Sequence, residues 1–111
     1  MMREIKESDW KVFRKLHPVA VERYCERVLA ESESLHRDPT RSAHERYLAL
    51  YRLFRERDKE LARLFNDFRR STALEYIAII KGHGWLTAEE FAQFSEETRY
   101  LVAVLLGEAP G

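Results

Sequence analysis

The stretch Ser42 to Phe68, SAHERYLALYRLFRERDKELARLFNDF, carries the widest apolar face in the sequence and predicts a single central helix. It opens with a capping-box pattern, in which Ser42 accepts from an amide three residues on and Glu45 reaches back to the Ser42 amide, so the helix is predicted to begin at Ala43. At 100° per residue its apolar side chains cover an arc of about 180°, wider than the roughly 100° that a surface helix needs. We therefore expect this helix to organise the core and to contact neighbours on more than one side.

Two charged residues lie inside that apolar arc. Arg57 and Asp58 project on either side of the line that joins Phe54 and Leu61. Charged side chains near a core are nearly always paired, so one interpretation is that the Arg57 stem covers apolar surface while its guanidinium pairs with a carboxylate of a neighbouring helix. The alternative is that Arg57 and Asp58 form the floor of a binding site.

Length and composition limit the classes of protein that fit. The chain has 111 residues, and 19 basic residues balance 19 acidic ones. This length predicts a single domain over residues 1–111 with one hydrophobic core. A net charge of zero gives no field that would steer the chain to nucleic acid or to an anionic membrane. A lone cysteine, Cys25, and the lack of an export signal or membrane-length apolar run predict a soluble, cytoplasmic protein.

The first helix is predicted to open near Ser8 and to continue to about Ser34. Pro18 removes one backbone amide inside this run, which favours a kinked or broken pair of helices. His17 falls in the middle of the apolar stripe. It is interpreted as a core histidine bound to one side chain or to a freed carbonyl, with a ligand or general base as the alternative.

Turn and cap signals divide the rest of the chain. Asp38-Pro39 places a connection at 35–41, so the first two helices should form an antiparallel hairpin. Three more helices are expected. The first is opened by a Thr72–Glu75 capping box and ends at Gly82 or Gly84. The second, at about Ala88 to Phe94, is opened by a Thr87–Glu90 capping box, and the third is capped by Ser95 and ended by Gly107. The predicted fold class is therefore all-α, a small bundle of about five helices in which a long antiparallel hairpin precedes three shorter C-terminal helices.

Four segments of the chain carry a resemblance to known sequences: 42–47 (SAHERY), 57–62 (RDKELA), 69–74 (RRSTAL) and 86–90 (LTAEE). Over most of its length the chain resembles short, all-helical bacterial proteins that have no assigned activity. The resemblance implies a helical fold and a cytoplasmic compartment, and it transfers no functional residue.

The sequence offers one candidate ligand site. Arg69 and Arg70 precede a predicted helix N-terminus, where free amides and two guanidinium groups could hold an anion, or they could simply pair with nearby carboxylates. Together with the polar residues that intrude on apolar faces, the candidate set is His17, Arg57, Asp58, Arg69 and Arg70. The spacing Glu33-x-x-His36 occurs only once, so no metal site is expected, and no cofactor motif is present.

The predicted function rests on the last helix. From Tyr100 to Leu106 this helix is apolar all round, although it is terminal and short. A small domain can hardly enclose every side of it, so we expect a non-enzymatic helical interaction module, a homodimer or a partner of another protein, with Tyr100, Leu101, Val104 and Leu105 at the interface. The alternatives are a small-ligand or anion-binding protein, in the extreme a weak enzyme, and a nucleic-acid-binding regulator. Nucleic acid is the less favoured partner because the helix that would read DNA carries Glu89 and Glu90.

Overall fold

The computed structural model describes residues 4–108 and contains no strand within that range. Its helices, in chain order, are α1 (Glu7–His36), α2 (Ala43–Phe65), α3 (Ala73–Gly82), α4 (Ala88–Phe91) and α5 (Glu96–Leu105), with a 3₁₀ turn at Arg70–Thr72. Helices α1 and α2 pack side by side as the long antiparallel hairpin, and α3 packs on α1, α2 and α5. The all-α prediction is confirmed.

Helix α1 organises the core. It buries five apolar side chains at helical spacing, and α3 buries five more: Phe13, Leu16, Ala20, Tyr24 and Val28 on α1, and Ala73, Leu74, Ile77, Ala78 and Ile80 on α3. Helix α2 buries only Leu64 and Phe65, in its last turn. The expectation that α2 is the central helix with neighbours on several sides is therefore wrong over most of its length.

The elongated shape of the chain explains why α2 is poorly covered. A 30-residue helix such as α1 is about 45 Å long at 1.5 Å per residue. The longest dimension of the molecule is 53 Å, against 26 and 23 Å for the other two. The three short helices can cover only part of such a hairpin, so most of α2 packs mainly against α1.

Three helix starts form as the sequence predicts. The capping boxes at Ser42–Glu45 and Thr87–Glu90 are both complete, and the Ser95 hydroxyl accepts from the Thr98 amide at the start of α5. Each of these caps satisfies amides that would otherwise lack a partner in the first helical turn.

Helix α1 differs from its prediction in two ways. Lys6 occupies the N-cap position without a side-chain hydrogen bond, and Ser8 lies inside the helix, which ends at His36 rather than near Ser34. The sequence predicts a kinked or broken pair of helices at Pro18, but the helix is one unbroken element through Pro18, so the break is wrong. Pro18 removes one backbone hydrogen bond and crowds the carbonyl of Arg14, whereas the buried face that continues from Phe13 to Val28 favours one continuous helix.

Three other boundaries also move. Helix α2 ends at Phe65 rather than Phe68, and α4 ends at Phe91 rather than Phe94. The Thr72 capping box does not form: the Thr72 hydroxyl donates back to the carbonyls of Asp67 (3.4 Å) and Arg69 (3.3 Å), because the preceding 3₁₀ turn directs the side chain away from α3. None of the described helices is long and apolar enough to span a membrane.

Candidate functional site

The two hairpin helices are joined by a set of polar contacts on one side. The Arg57 guanidinium on α2 donates to Glu31 on α1, with Nη2–Oε2 and Nε–Oε1 distances of 3.0 and 3.3 Å. One turn beyond Arg57 on α2, Glu60 accepts a hydrogen bond from the Tyr24 hydroxyl of α1, with a distance of 2.6 Å to Glu60 Oε1. Burial, followed by the bond to the anionic Glu60, raises the pKa of Tyr24. Arg57 thus makes the interhelical pair that the sequence suggests for a charge at the edge of a core.

An open, largely apolar groove of about 590 Å³ runs between α1 and α2. We call it the hairpin groove and define it by its lining residues: Tyr24, Cys25, Val28, Leu29, Tyr51, Phe54, Arg55, Arg57, Asp58 and Leu61. All of them belong to α1 or α2, so no residue of the short helices closes this side of the hairpin.

Large apolar side chains remain in contact with solvent in and beside the hairpin groove. Leu29 is 60% exposed, Tyr51 57% and Phe54 43%, and Tyr47, two turns before Phe54 on α2, is 67% exposed. From sequence, Tyr51 and Phe54 count as core residues because they lie in the apolar arc of α2. The width of that arc, about 180°, was the available signal that other helices of this small chain would leave part of the α2 apolar face exposed.

His17 lies in an aromatic cluster, away from the hairpin groove. Its Nε2 donates to the carbonyl of Phe65 at 3.0 Å, and its ring lies 4.2 Å from the ring of Phe68, centre to centre. Burial lowers the pKa of His17, an effect that the bond to Phe65 only partly opposes, so the imidazole is held neutral with its proton on Nε2. The histidine completes the hydrogen bonding at the end of α2, where carbonyls have no helical partner.

The two arginines before α3 also have partners of their own. Arg69 pairs with Asp67 at 2.6 Å, which raises the pKa of the guanidinium, and Arg70 donates to the Ile5 carbonyl from both Nε (3.1 Å) and Nη2 (3.0 Å). Arg70 therefore fastens the segment before α1 to the bundle.

Of the five candidate ligand residues, the structure brings only Arg57 and Asp58 together. Both line the hairpin groove, and Arg57 is already paired with Glu31. His17 bonds to Phe65, eight residues beyond Arg57 on α2, which is about 12 Å along a helix axis. Arg69 and Arg70, beyond the end of α2, contact Asp67 and the Ile5 carbonyl instead. The five residues do not form a shared site.

The outer face of α5 is the second exposed apolar surface. Val102 and Thr98 face the core at 0% and 3% exposure, whereas Tyr100, Val104 and Leu105 are 55%, 46% and 50% exposed. Leu101 differs from these three because it is half-buried and packs against the core. Three of the four predicted interface residues therefore form an open face, which we call the α5 face (Tyr100, Val104 and Leu105).

The Glu33-x-x-His36 spacing and the possible helix-turn-helix do not form a recognisable site within residues 4–108. Glu33 and His36 are exposed near the end of α1, and residues 4–108 include no group of three side chains placed to ligate a metal. Helix α4, which would read DNA in a helix-turn-helix arrangement, has four residues. That is little more than one turn and is too short to lie along a major groove.

No protein-family model, curated protein or solved structure gives a significant match to this chain. The resemblance to short helical bacterial proteins therefore stays a prediction.

Proposed function

We propose that this protein is a non-enzymatic helical interaction module that self-associates through its exposed apolar surface. One observation carries the proposal: three aromatic residues of α2, Tyr47, Tyr51 and Phe54, remain 43–67% exposed although α2 already packs against α1. At about 200 Å² per aromatic side chain, these three rings leave roughly 300 Å² of apolar surface open to water. The largest contiguous apolar patch on a small protein is about this size and is often functional.

The polar features support binding rather than catalysis. Within residues 4–108, four of the five candidate ligand residues are engaged in structural contacts: His17 with the Phe65 carbonyl, Arg57 with Glu31, Arg69 with Asp67 and Arg70 with the Ile5 carbonyl. Asp58, in the lining of the hairpin groove, is the exception. A general base or nucleophile needs a free reactive atom that faces space for a substrate. The proposal also places the module in the cytoplasm, where a single cysteine is kept reduced.

Light scattering across the micromolar range tests self-association directly. We expect a mass twice that of one chain, and a concentration-dependent return to the monomer on dilution. Tyr51→Glu, which places a charge on the exposed apolar surface, should shift the protein towards the monomer without changing its helical circular dichroism. A monomer at every concentration up to the solubility limit would refute the proposal.

A second candidate function, binding of a small apolar ligand, is favoured by the size of the hairpin groove. A volume of about 590 Å³ is within the range of small-molecule sites, and Arg57 and Asp58 supply polar groups in its lining. Saturable, one-to-one binding of 8-anilinonaphthalene-1-sulfonate that is lost in Phe54→Glu would support it. Weak binding without saturation would argue against it. The structure gives no comparable support to nucleic-acid binding.

A further inference from the structure

We propose that the hairpin groove is filled by the hairpin of a second copy of this chain, with the two α2 helices antiparallel about a twofold axis that passes between Arg55 and Asp58. This inference rests on the proposed self-association and identifies the surface that mediates it.

Two unpaired charges of the groove lining favour a second copy as its occupant. Arg55 and Asp58 line the hairpin groove three residues apart on α2, and neither side chain forms an ion pair or hydrogen bond within the described part of the chain. The groove's other cation, Arg57, is already paired with Glu31. When two identical helices pack antiparallel about a twofold axis, each residue lies opposite the one equally far beyond the axis. An axis between residues 55 and 58 therefore sets each arginine against the aspartate of the other copy, twice per dimer.

The area available is a second argument for this occupant. A standard interface covers about 800 Å² on each partner, of which roughly 57%, or about 450 Å², is apolar. The exposed rings of Tyr47, Tyr51 and Phe54 supply roughly 300 Å² at about 200 Å² per full side chain, and Leu29, 60% exposed, adds to this on the α1 side. The hairpin therefore presents most of the apolar area that a stable dimer needs.

The shape of the groove and its mixed charge also fit a second hairpin. Because only α1 and α2 line it, a second hairpin laid across it would complete a four-helix layer. A fatty acid or acidic peptide could pair with Arg55 but would be repelled by Asp58, whereas a second copy satisfies both charges. The net charge of zero also means that two copies do not repel each other at long range.

Charge reversal and mixing test the proposal. Arg55→Asp gives a chain with two acidic residues at the axis, and Asp58→Arg gives a chain with two basic ones. Each variant alone should dimerise about ten-fold more weakly or worse, because two attractive contacts become repulsive. An equimolar mixture of the two should recover a heterodimer, which no effect within a single chain can produce. Arg52→Asp, at an exposed α2 position outside the groove lining, is the matched control and should dimerise like the wild type.

Cys25 supplies a second readout that needs no variant. It is the only cysteine of the chain, it is half-buried, and it lines the hairpin groove. A maleimide should label it more slowly above the dimer dissociation constant than below it. A labelling rate that is the same above and below the dissociation constant would overturn the proposal.

The outcomes separate this inference from the proposed function. Suppose that the wild type dimerises but that the charge variants dimerise equally well, that mixing them restores nothing, or that labelling of Cys25 does not depend on concentration. Any of these results would leave self-association standing and would show that the hairpin groove is not the surface that mediates it. If the wild type is monomeric throughout, the proposed function fails, and this inference fails with it. Circular dichroism of each variant confirms that the compared chains are folded.

Discussion

The carboxylate of Asp9, on the first helix, holds the start of the last helix through Ser95. Asp9 accepts hydrogen bonds from the Ser95 amide (2.7 Å) and hydroxyl (2.6 Å), and a third from the Thr98 hydroxyl (2.7 Å). The aspartate is only 2% exposed. Burial opposes its ionisation, but the hydrogen bonds from Ser95 and Thr98 outweigh that effect and lower the pKa of Asp9. The negative charge also lies at the positive end of the α5 dipole.

Asp9→Asn should lower the free energy of unfolding by about 2 kcal/mol at neutral pH, because an amide replaces a buried carboxylate that accepts three hydrogen bonds. Urea denaturation measures the loss. Glu7→Gln, an exposed acid in the same first turn of α1, is the control and should be nearly neutral. Since the folded pKa lies below 3.8, the contribution of Asp9 is complete above about pH 4 and is lost at lower pH. A difference between wild type and Asp9→Asn that grew on acidification would contradict this assignment.

Glu90 links the α4 capping box to the hairpin and gives a second pH-dependent contribution. Its carboxylate accepts hydrogen bonds from both Arg23 Nη1 (2.6 Å) and Arg23 Nη2 (2.8 Å). This bidentate pair, together with the hydrogen bond from the Thr87 amide, lowers the pKa of Glu90 to about 2 although partial burial opposes ionisation. The stability that it supplies is complete above about pH 4.5 and is lost as the pH falls towards 2. Because Arg23 is 36% exposed, we expect Glu90→Gln to cost only about 1 kcal/mol at neutral pH.

Thermal melts of Glu90→Gln and wild type from neutral to acidic pH check that expectation: the two midpoints should converge at the acidic end. Glu89→Gln changes an exposed neighbour without an ion-pair partner within residues 4–108 and should follow the wild type throughout. Equal sensitivity of the two variants would mean that the Arg23 pair contributes nothing.

The sequence predicts local structure well where a single turn contains the whole signal. The Ser42 and Thr87 capping boxes and the Ser95 cap need only residues that are three apart, and all of them form. The all-α class follows from the same caps together with helical periodicity. The Thr72 box has the same spacing but fails, because the preceding 3₁₀ turn directs the hydroxyl elsewhere.

The contacts between distant residues could not be predicted in the same way. In the sequence Asp9 has the features of an ordinary acidic residue in a first helical turn. Nothing near it in the sequence indicates that its hydrogen-bond partner, Ser95, lies 86 residues away. The apolar arc of α2 identifies Tyr51 and Phe54 as residues that need cover. Which side of the hairpin the short helices occupy depends on the tertiary packing of α3 against α1, so the location of the hairpin groove appears only in the structure.

His17 should titrate below the ordinary value of 6.5, because burial disfavours the charged imidazole. The contribution of His17 to stability is therefore constant above about pH 6.5 and becomes unfavourable as the pH falls from there through the lowered pKa of His17. His17→Gln keeps a donor for the Phe65 carbonyl and removes the charge, so it should abolish this step. Titration of the histidine ring protons by NMR gives the pKa directly, and a midpoint at or above 6.5 would exclude the buried, neutral assignment. His36→Gln, at the exposed end of α1, controls for a general effect of losing a histidine.

Thr87→Ala and Thr72→Ala should differ although both threonines directly precede a helix. The Thr87 hydroxyl accepts from the Glu90 amide at 3.1 Å and completes a capping box, so its loss should cost about 1 kcal/mol. Thr72 makes no such cap, and its longer bonds of 3.3 and 3.4 Å to two carbonyls should be worth less than half of that. Chemical denaturation of the two variants under the same conditions measures the difference. Equal losses would mean that the cap geometry at Thr87 does not matter for stability.

Leu101 and Val104 are both predicted interface residues, but the structure separates their roles. Leu101 packs against the core, whereas Val104 is 46% exposed on the α5 face. Leu101→Glu places a charge at a half-buried position against the core and should lower the free energy of unfolding by about 2 kcal/mol, so a loss of association in that variant would be uninformative. Val104→Glu should change stability by less than about 0.5 kcal/mol and affect mass only if the α5 face takes part in association. Light scattering and urea denaturation of both variants therefore distinguish an interface from a core position. If the dimer forms through the hairpin groove as proposed, Val104→Glu keeps the mass of the wild type while Tyr51→Glu does not, and the reverse result would assign the contact to α5.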